Sequence, residues 1–304
     1  MRRAKKLHVL FLPLLLFVIY FSAVFLLHHE IRARYMLNFL DIAALTMLSF
    51  LATLIKGLRW DFLLRESGVQ LKFLTTYFNY LAGLIGVVTP GKVGDVIRTG
   101  ILKRRYGTKH RNVLPAILME RVTDILSLCL LSSFGVLGVE NGWIYIFSGM
   151  TIFAALFILL RSNIVIHLFP QKIISRWSRE VALRDVLENT KRLMNPRTVL
   201  IATAIDCVGW IAESLLLAYL ILNVYGYAIA PSSIIFICAF SALVGALSFL
   251  PAGLGVMDVS MTLMLTWYGV PLASAASITL IFRIFTIWLY TAVGALFSLA
   301  GMRR

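Results

Sequence analysis

The stretch GLIGVVTPGKVGDVIR, Gly83 to Arg98, sets a Thr-Pro-Gly break and the ionisable residues Lys92, Asp95 and Arg98 inside a run that is otherwise apolar. Gly86 to Lys92 fit the G-x-x-x-x-G-K spine of a nucleotide-binding P-loop, but that loop needs a strand before it, a helix after it, and Ser or Thr behind the lysine to hold magnesium. Val93 occupies that last position, and the preceding residues suit a bilayer. A second stretch, LPAGLGVMD at Leu250 to Asp258, repeats the break without the lysine. We read the P-loop match as accidental and both stretches as interruptions of apolar helices. Proline and glycine so close together do not fit one straight lipid-facing helix. Residues 73–100 and 232–268 are each expected to form two half-helices that fold back as a re-entrant hairpin.

The rest of the chain agrees with a bilayer. Of 304 residues, 60% are hydrophobic and 14% charged, and the mean hydropathy is +0.88; an ordinary soluble domain is about one-quarter charged. The formal net charge of +15 does not point to nucleic acid, because the basic residues punctuate apolar runs instead of covering one folded face. Full spans are expected near 8–28, 37–58, 112–137, 143–160, 198–222 and 272–300, each long enough for the roughly 30 Å hydrocarbon core. The basic N-terminus leads into an apolar run too long for a signal peptide, with no A-x-A site after it, and reads as an uncleaved first span. Cys129, Cys207 and Cys238 lie in apolar runs and read as core residues, and the histidines lack ligand spacing, so neither a metal site nor a cofactor is expected.

Lys and Arg positions orient these spans, since cytoplasmic loops collect them. With the N-terminus inside and both hairpins returning to their side of entry, 25 of the 29 basic residues fall in cytoplasmic segments: 4 in 2–6, 4 in 56–72, 7 in 92–111, 8 in 161–197 and 2 in 303–304. Arg32 and Arg34 lie in the first external loop, and Arg121 and Arg283 within spans. The expectation is a multi-pass protein of the cell membrane with both termini cytoplasmic. Hairpin one enters from the cytoplasm and hairpin two from outside. Each copy has an apolar half-helix, a Pro-Gly break, an acid (Asp95 or Asp258) and then a span with a buried arginine (Arg121 or Arg283). Opposite entry makes this an inverted-topology repeat, which in transporters places the binding site near the midplane. The fold class is all-α: a polytopic membrane helical bundle with an inverted repeat and two re-entrant hairpins. Residues 1–304 are a single integral membrane domain, with repeat one at about 37–137, repeat two at about 198–300, and a cytoplasmic amphipathic connector at 163–195.

Ionisable groups at bilayer depth need a partner or a wet cavity. Arg121 lies about nine residues, roughly 14 Å, into its span and Arg283 about eleven, roughly 16 Å. Either is a structural counter-ion, for example Arg121 to Asp95, or a ligand for an anion. Glu120 and Asp124 share a helix face, as do Asp206 and Glu213. Asp41 and Asp206 lie nearer span ends, where they reach water, and are left out of the site. Gly91 and Gly94, next to Pro90, allow close backbone approach, and a half-helix beginning near Val93 would point free N–H groups at the midplane, favouring an anion beside Lys92 and Arg98. Pro251, Gly253 and Gly255 supply the same freedom in the second hairpin without a basic residue. In the connector, Ile173, Ile174, Trp177 and Val181 recur at helical spacing among Lys172, Arg176, Arg179 and Arg184. That suits an interfacial helix on anionic lipid or an amphipathic helix packed on the bundle.

At TPGKVGDVIR, MERVTDIL, LPAGLGVMD and IFRIF the chain resembles the flippase-like membrane family that includes the transmembrane flippase part of bacterial lysylphosphatidylglycerol synthases and stand-alone archaeal and bacterial proteins associated with lipid-linked sugar pathways. The resemblance covers about residues 10–300. The family pattern commonly has Arg where Lys92 stands and Glu at the hairpin acids Asp95 and Asp258. The resemblance implies a paired-hairpin fold and movement of a lipid with a polar or charged head between leaflets. In the two-part bacterial proteins a soluble aminoacyl-transferase domain follows the membrane part; here the chain stops at Arg304, so no enzyme activity is expected. The substrate-contact candidates are Lys92, Asp95, Arg98, Glu120, Arg121, Asp124, Asp258 and Arg283. Glu120, Asp124, Glu213 and Asp258 are candidates for ion or proton coupling. The expected partner is an anionic or polyprenyl-phosphate lipid. Two other classes use the same features: a non-transporting partner that presents a lipid-linked substrate to a glycosyltransferase, and an ion-coupled small-solute transporter.

Overall fold

The computed structural model describes residues 37–87, 93–135, 151, 183–248 and 250–302, with backbone alone at 93–96, 135, 183–184 and 299–302. The expected spans 8–28 and, apart from residue 151, 143–160 lie outside the described residues, as do connector residues 163–182. What is described is an all-α membrane bundle. Its helices are α1 (Phe39–Glu66), α2 (Phe73–Gly83, continued by a tight turn at Leu84–Gly86), α3 (Val93–Tyr106), α4 (His110–Gly135), α5 (Leu183–Leu193), α6 (Pro196–Tyr219), α7 (Pro231–Leu247), α8 (Val256–Trp267), α9 (Leu272–Arg283) and α10 (Leu289–Met302). Wide π-helical turns at Leu220–Val224 and Ile284–Trp288 extend α6 and join α9 to α10. Among the described residues three continuous helices, Phe39–Glu66, Pro196–Val224 and Leu272–Ser298, are long and apolar enough to cross a membrane. The expected span 112–137, α4, is 26 residues long but carries Glu120, Arg121 and Asp124 at its middle.

Local chemistry sets the helix ends. Asn38 caps α1 by accepting the Asp41 N–H at 2.9 Å while the Asp41 carboxylate accepts the Asn38 N–H at 3.0 Å, satisfying two otherwise orphaned donors. Asn195 accepts from the Thr198 N–H at 2.9 Å, with Pro196 in the first turn of α6, where its missing N–H costs nothing. Pro231 opens α7 the same way.

Both interrupted segments fold back on themselves. The Asn79 amide on α2 donates to the Arg98 carbonyl on α3 at 3.0 Å, so α3 returns along α2. In the second segment, Ser241 on α7 donates to the Met264 sulfur on α8 at 3.8 Å. At its tip Ala252 has φ 54 and Gly253 φ 62. A Cβ on Gly253 would lie 2.9 Å from the Gly245 Cα, so the close pass of the tip over α7 requires glycine there. A left-handed alanine costs roughly 1–2 kcal/mol relative to a relaxed backbone, a strain held by the contacts described below.

The helices around the hairpins pair across the chain. α1 and α6 lie antiparallel along their whole length: the Tyr219 hydroxyl meets Asp41 at 2.9 Å at one end, and the Thr198 hydroxyl meets Glu66 at 3.1 Å at the other. α7 packs along α4, and α2 along α10, where Phe78 and Phe297 stack with centroids 5.0 Å apart. One apolar cluster gathers mainly from α6 to α9, and a second mainly from α1, α2 and α4 with Tyr290 of α10. Cys129 and Cys238 are buried. Over 183–193 the connector packs on the bundle: Val186, Leu193 and the adjoining Met194 are buried, and Asp185 lies 3.6 Å from Arg111 at the start of α4. A Cβ on Gly294 would come within 2.6 Å of the Ile85 nitrogen and 2.7 Å of the Leu81 carbonyl, backbone atoms that cannot turn aside. Gly294→Val is therefore expected to push α10 off α2 at a cost of about 1–3 kcal/mol, read as a lowered melting temperature of the detergent-purified protein. An unchanged melt would refute this close packing.

One boundary differs from the expectation, with consequences for the site. The first described span does not end near residue 58: α1 continues to Glu66. Lys56 and Arg59, counted above among cytoplasmic loop residues, lie inside the helix, and Arg59 is buried. Their charges lower local hydropathy as an exit from the membrane would, but here partners on other helices offset the cost of burying them.

Candidate functional site

Arg59 is the hub of a buried ionic network that joins four helices. Its guanidinium is 2% exposed; Nη1 lies 2.7 Å from Asp124 Oδ1 on α4 and 2.6 Å from Asp206 Oδ1 on α6, and Nη2 lies 3.6 Å from Glu120 Oε1. Arg98 of α3 holds the other Glu120 oxygen at 2.9 Å, and its guanidinium carbon lies 4.3 Å from the centroid of the Trp60 ring. Arg121 binds Asp124 Oδ2 at 3.2 Å. The Ser127 hydroxyl donates to Asp206. Three guanidiniums and three carboxylates thus alternate, which is how so much charge is accommodated at bilayer depth: each ion lost from water meets an opposite ion. The network is most accessible at one edge, where Arg121 is 35% and Asp124 21% exposed, against 2% for Arg59 and 0% for Asp206.

On the same α1–α6 seam, one helical turn from Arg59, Lys56 Nζ lies 2.5 Å from Glu213 Oε1 and 3.7 Å from the centroid of the Trp210 ring. A separate charge pair closes the second hairpin. Arg283 Nε lies 3.0 Å from Asp258 Oδ1, Nη2 donates to the Ala252 carbonyl at 2.6 Å, and Nη1 approaches the Met257 sulfur at 2.9 Å. Asp258 also accepts the Gly255 N–H at 2.7 Å, securing the start of α8. Since Arg283 stands about eleven residues, or roughly 16 Å, into the 27-residue span Leu272–Ser298, the hairpin tip reaches the middle of that span.

The structure sorts the candidates of the sequence analysis into groups. Arg98, Glu120, Arg121 and Asp124 come together around Arg59. Asp258 and Arg283 come together at the second tip, with Pro251, Gly253 and Gly255 forming its turn. Glu213 joins Lys56. Pro90, Gly91 and Lys92 lie outside the described residues. Gly94 and Asp95 lie in the first turn of α3, and the side chain of Asp95, with its expected pairing to Arg121, is outside the description. Asp206 is a correction. It does not reach water near a span end but is fully buried on Arg59, because α6 begins at Pro196 and its antiparallel partner α1 presents a guanidinium at that level. Asp41 is the helix cap described above. Sequence reasoning missed Lys56, Arg59 and Asp206. The signal that could have found them is matched spacing: Lys56 and Arg59 are a turn apart on one helix, Glu213 and Asp206 two turns apart on another, and antiparallel pairing brings opposite charges level.

Residues 6–294 match the family described as Lysylphosphatidylglycerol synthase TM region. A UPF0104 membrane protein of Methanothermobacter thermautotrophicus is 28% identical, over 88% of this chain and 85% of its own length. A second from that organism is 23% identical over 82% and 81%. The UPF0104 membrane protein MJ1595 of Methanocaldococcus jannaschii is 25% identical, again over 82% and 81%.

Proposed function

The chain belongs to the lysylphosphatidylglycerol synthase TM-region family, and from that premise we propose that it carries the charged head of a lipid between leaflets while the hydrocarbon tails remain in the bilayer. The observation that carries this reading is the accessible edge of the ionic network, where the half-buried Arg121 faces Asp124 at 3.2 Å. A phosphate-bearing head arriving there exchanges one anion for another on a guanidinium whose desolvation the network already offsets, and arginine suits phosphate because its planar donor fork matches the oxygens. The cargo is an anionic phospholipid or a polyprenyl-phosphate-linked sugar. The protein is read as a transporter of the cell membrane with both termini cytoplasmic, not as an enzyme. In the same reading α1–α4 and α6–α10 are inverted copies: each hairpin lends its first half to the last span of the other copy, an arrangement suited to rocking about a fixed central site.

The test is reconstitution of the full chain into vesicles holding labelled phosphatidylglycerol or a labelled polyprenyl-phosphate sugar, with the outer-leaflet label destroyed chemically. Protein-dependent loss of the inner-leaflet label is expected. Arg121→Ala should slow it at least about tenfold, equivalent to ~1.4 kcal/mol in the barrier, with the melting temperature unchanged because this arginine is at the exposed edge. Binding of the head without movement would favour the presenting role, and solute flux alone the small-solute transporter. Wild-type protein that moves neither lipid removes the proposal.

A further inference from the structure

The Lys56–Glu213 pair is separate from the Arg121–Asp124 edge, and α6 is built around it. Gly209 makes room for the lysine stem: a Cβ there would lie 3.2 Å from Lys56 Cγ. Trp210 supplies the ring beside the ammonium and Glu213 the carboxylate. Both side chains are only 13% exposed. Of the cations named in the membrane-embedded network, Lys56, Arg59, Arg98 and Arg121, only the lysine is a group that releases its proton readily when buried; guanidinium stays protonated.

The pair also lies on a polar seam between α1 and α6. On one side, Ser49 and Thr53 share the α1 face of Lys56. Thr53 donates to the Ser49 carbonyl at 3.0 Å, and Ser49 donates to the Phe285 carbonyl at 2.6 Å. On the other side comes Arg59 with Asp206. From there the seam reaches Glu66 on Thr198. Ser49 to Glu66 is roughly 26 Å of helix, most of the roughly 30 Å hydrocarbon core. The groups facing the pair come from every neighbour: Asp206 on α6, Asp124 on α4, Cys238 on α7 and Tyr290 on α10.

We infer that the α1–α6 seam conducts protons, that Lys56–Glu213 is its proton-exchange site, and that headgroup movement is coupled to a proton gradient through it. The inference rests on the transport reading above. A proton arriving from the Ser49–Thr53 side protonates the Glu213 carboxylate, leaving a carboxylic acid beside an ammonium. The ammonium passes its proton toward the Asp206 carboxylate, which releases it along the seam. The acid O–H then protonates the neutral amine and the ion pair returns, with one proton moved and no other change. While the acid and amine are both neutral, this one of the charge contacts between α1 and α6 is absent, so the hold of one helix on the other is weakened at that level.

Lys56→Arg tests this directly, since it keeps the charge and the pairing but makes proton release about a hundredfold rarer. Full-length protein is reconstituted in phosphatidylcholine–phosphatidylglycerol vesicles with a trapped pH dye and labelled phosphatidylglycerol, under an imposed pH gradient. Wild type is expected to dissipate the gradient and to move the label faster with the gradient than without it. Lys56→Arg should melt as wild type does, with proton flux down at least about tenfold. Glu213→Gln should lose the proton flux while retaining gradient-independent label movement. Wild-type label movement that ignores the gradient overturns the coupling and leaves the transport reading intact. Proton flux without label movement supports the seam and overturns the transport reading, and with it the coupling. Lys56→Arg with wild-type proton flux overturns the assignment of the pair even if Glu213→Gln fails to fold.

Discussion

Arg59→Ala is expected to destabilise the folded protein by about 3–5 kcal/mol, the largest single-residue effect in the bundle, because it leaves buried carboxylates without their counter-charge. The three carboxylates do not suffer equally. Glu120 retains Arg98 at 2.9 Å and Asp124 retains Arg121 at 3.2 Å, but Asp206 is left with the Ser127 hydroxyl. Most of the loss should therefore reside at Asp206. Arg59→Met combined with Asp206→Asn should recover a large part of what Arg59→Met alone removes, since a neutral amide beside Ser127 avoids a stranded buried charge. Thermal melting and the monodisperse fraction on size exclusion in detergent would read both. If the single variant melts like wild type, or the double is the worse of the two, the hub assignment is wrong.

The second large effect belongs to Arg283→Ala. This side chain holds the Ala252 carbonyl, Asp258 and Met257 together at the break. Its loss leaves Asp258 without its ion pair and removes the donor that secures a left-handed alanine. We expect a loss of about 2–5 kcal/mol, in the range for breaking a buried hydrogen-bonded charge contact, together with faster amide exchange at 250–258. Ala252→Gly in the same background should return part of the stability, up to roughly 1 kcal/mol, by relieving the backbone. Exchange confined to the ends of α7 and α8, with the tip unchanged, would show that the arginine is not what holds the break.

Much of the architecture can be read in the chain because the breaks are local events. Proline with glycine at 90–91 and 251–253 has one reading in an apolar segment, and the structure folds α3 back along α2 and α8 along α7. The far contacts were harder to see. A hydropathy count charges every ionisable residue as though it faced lipid alone, so Lys56, Arg59 and Asp61 look like the exit of a span. The cost is actually offset by groups remote in the sequence: Lys56 and Glu213 are 157 positions apart. The same blindness set Asp206 at a water-facing helix end, when it is the most buried acid of the network. Arg283 and Asp258 were legible as a local unit, since one hairpin and its following span contain both. Lys56 and Arg59 became visible only when α1 and α6 were laid side by side.

The widened turn between α9 and α10 has a geometric outcome for the last span. Holding an additional residue in one coil sets the faces before and after it out of phase by about 100°, the rotation of a single helical residue. The rod can thus aim Arg283 at the tip of α7–α8 and still turn the Cβ-less side of residue 294 toward the backbone of α2, two bearings that an unbroken spiral would not meet together. Excising one position from Ile284–Trp288 would bring the spiral back into step and swing one of those two faces away from its neighbour.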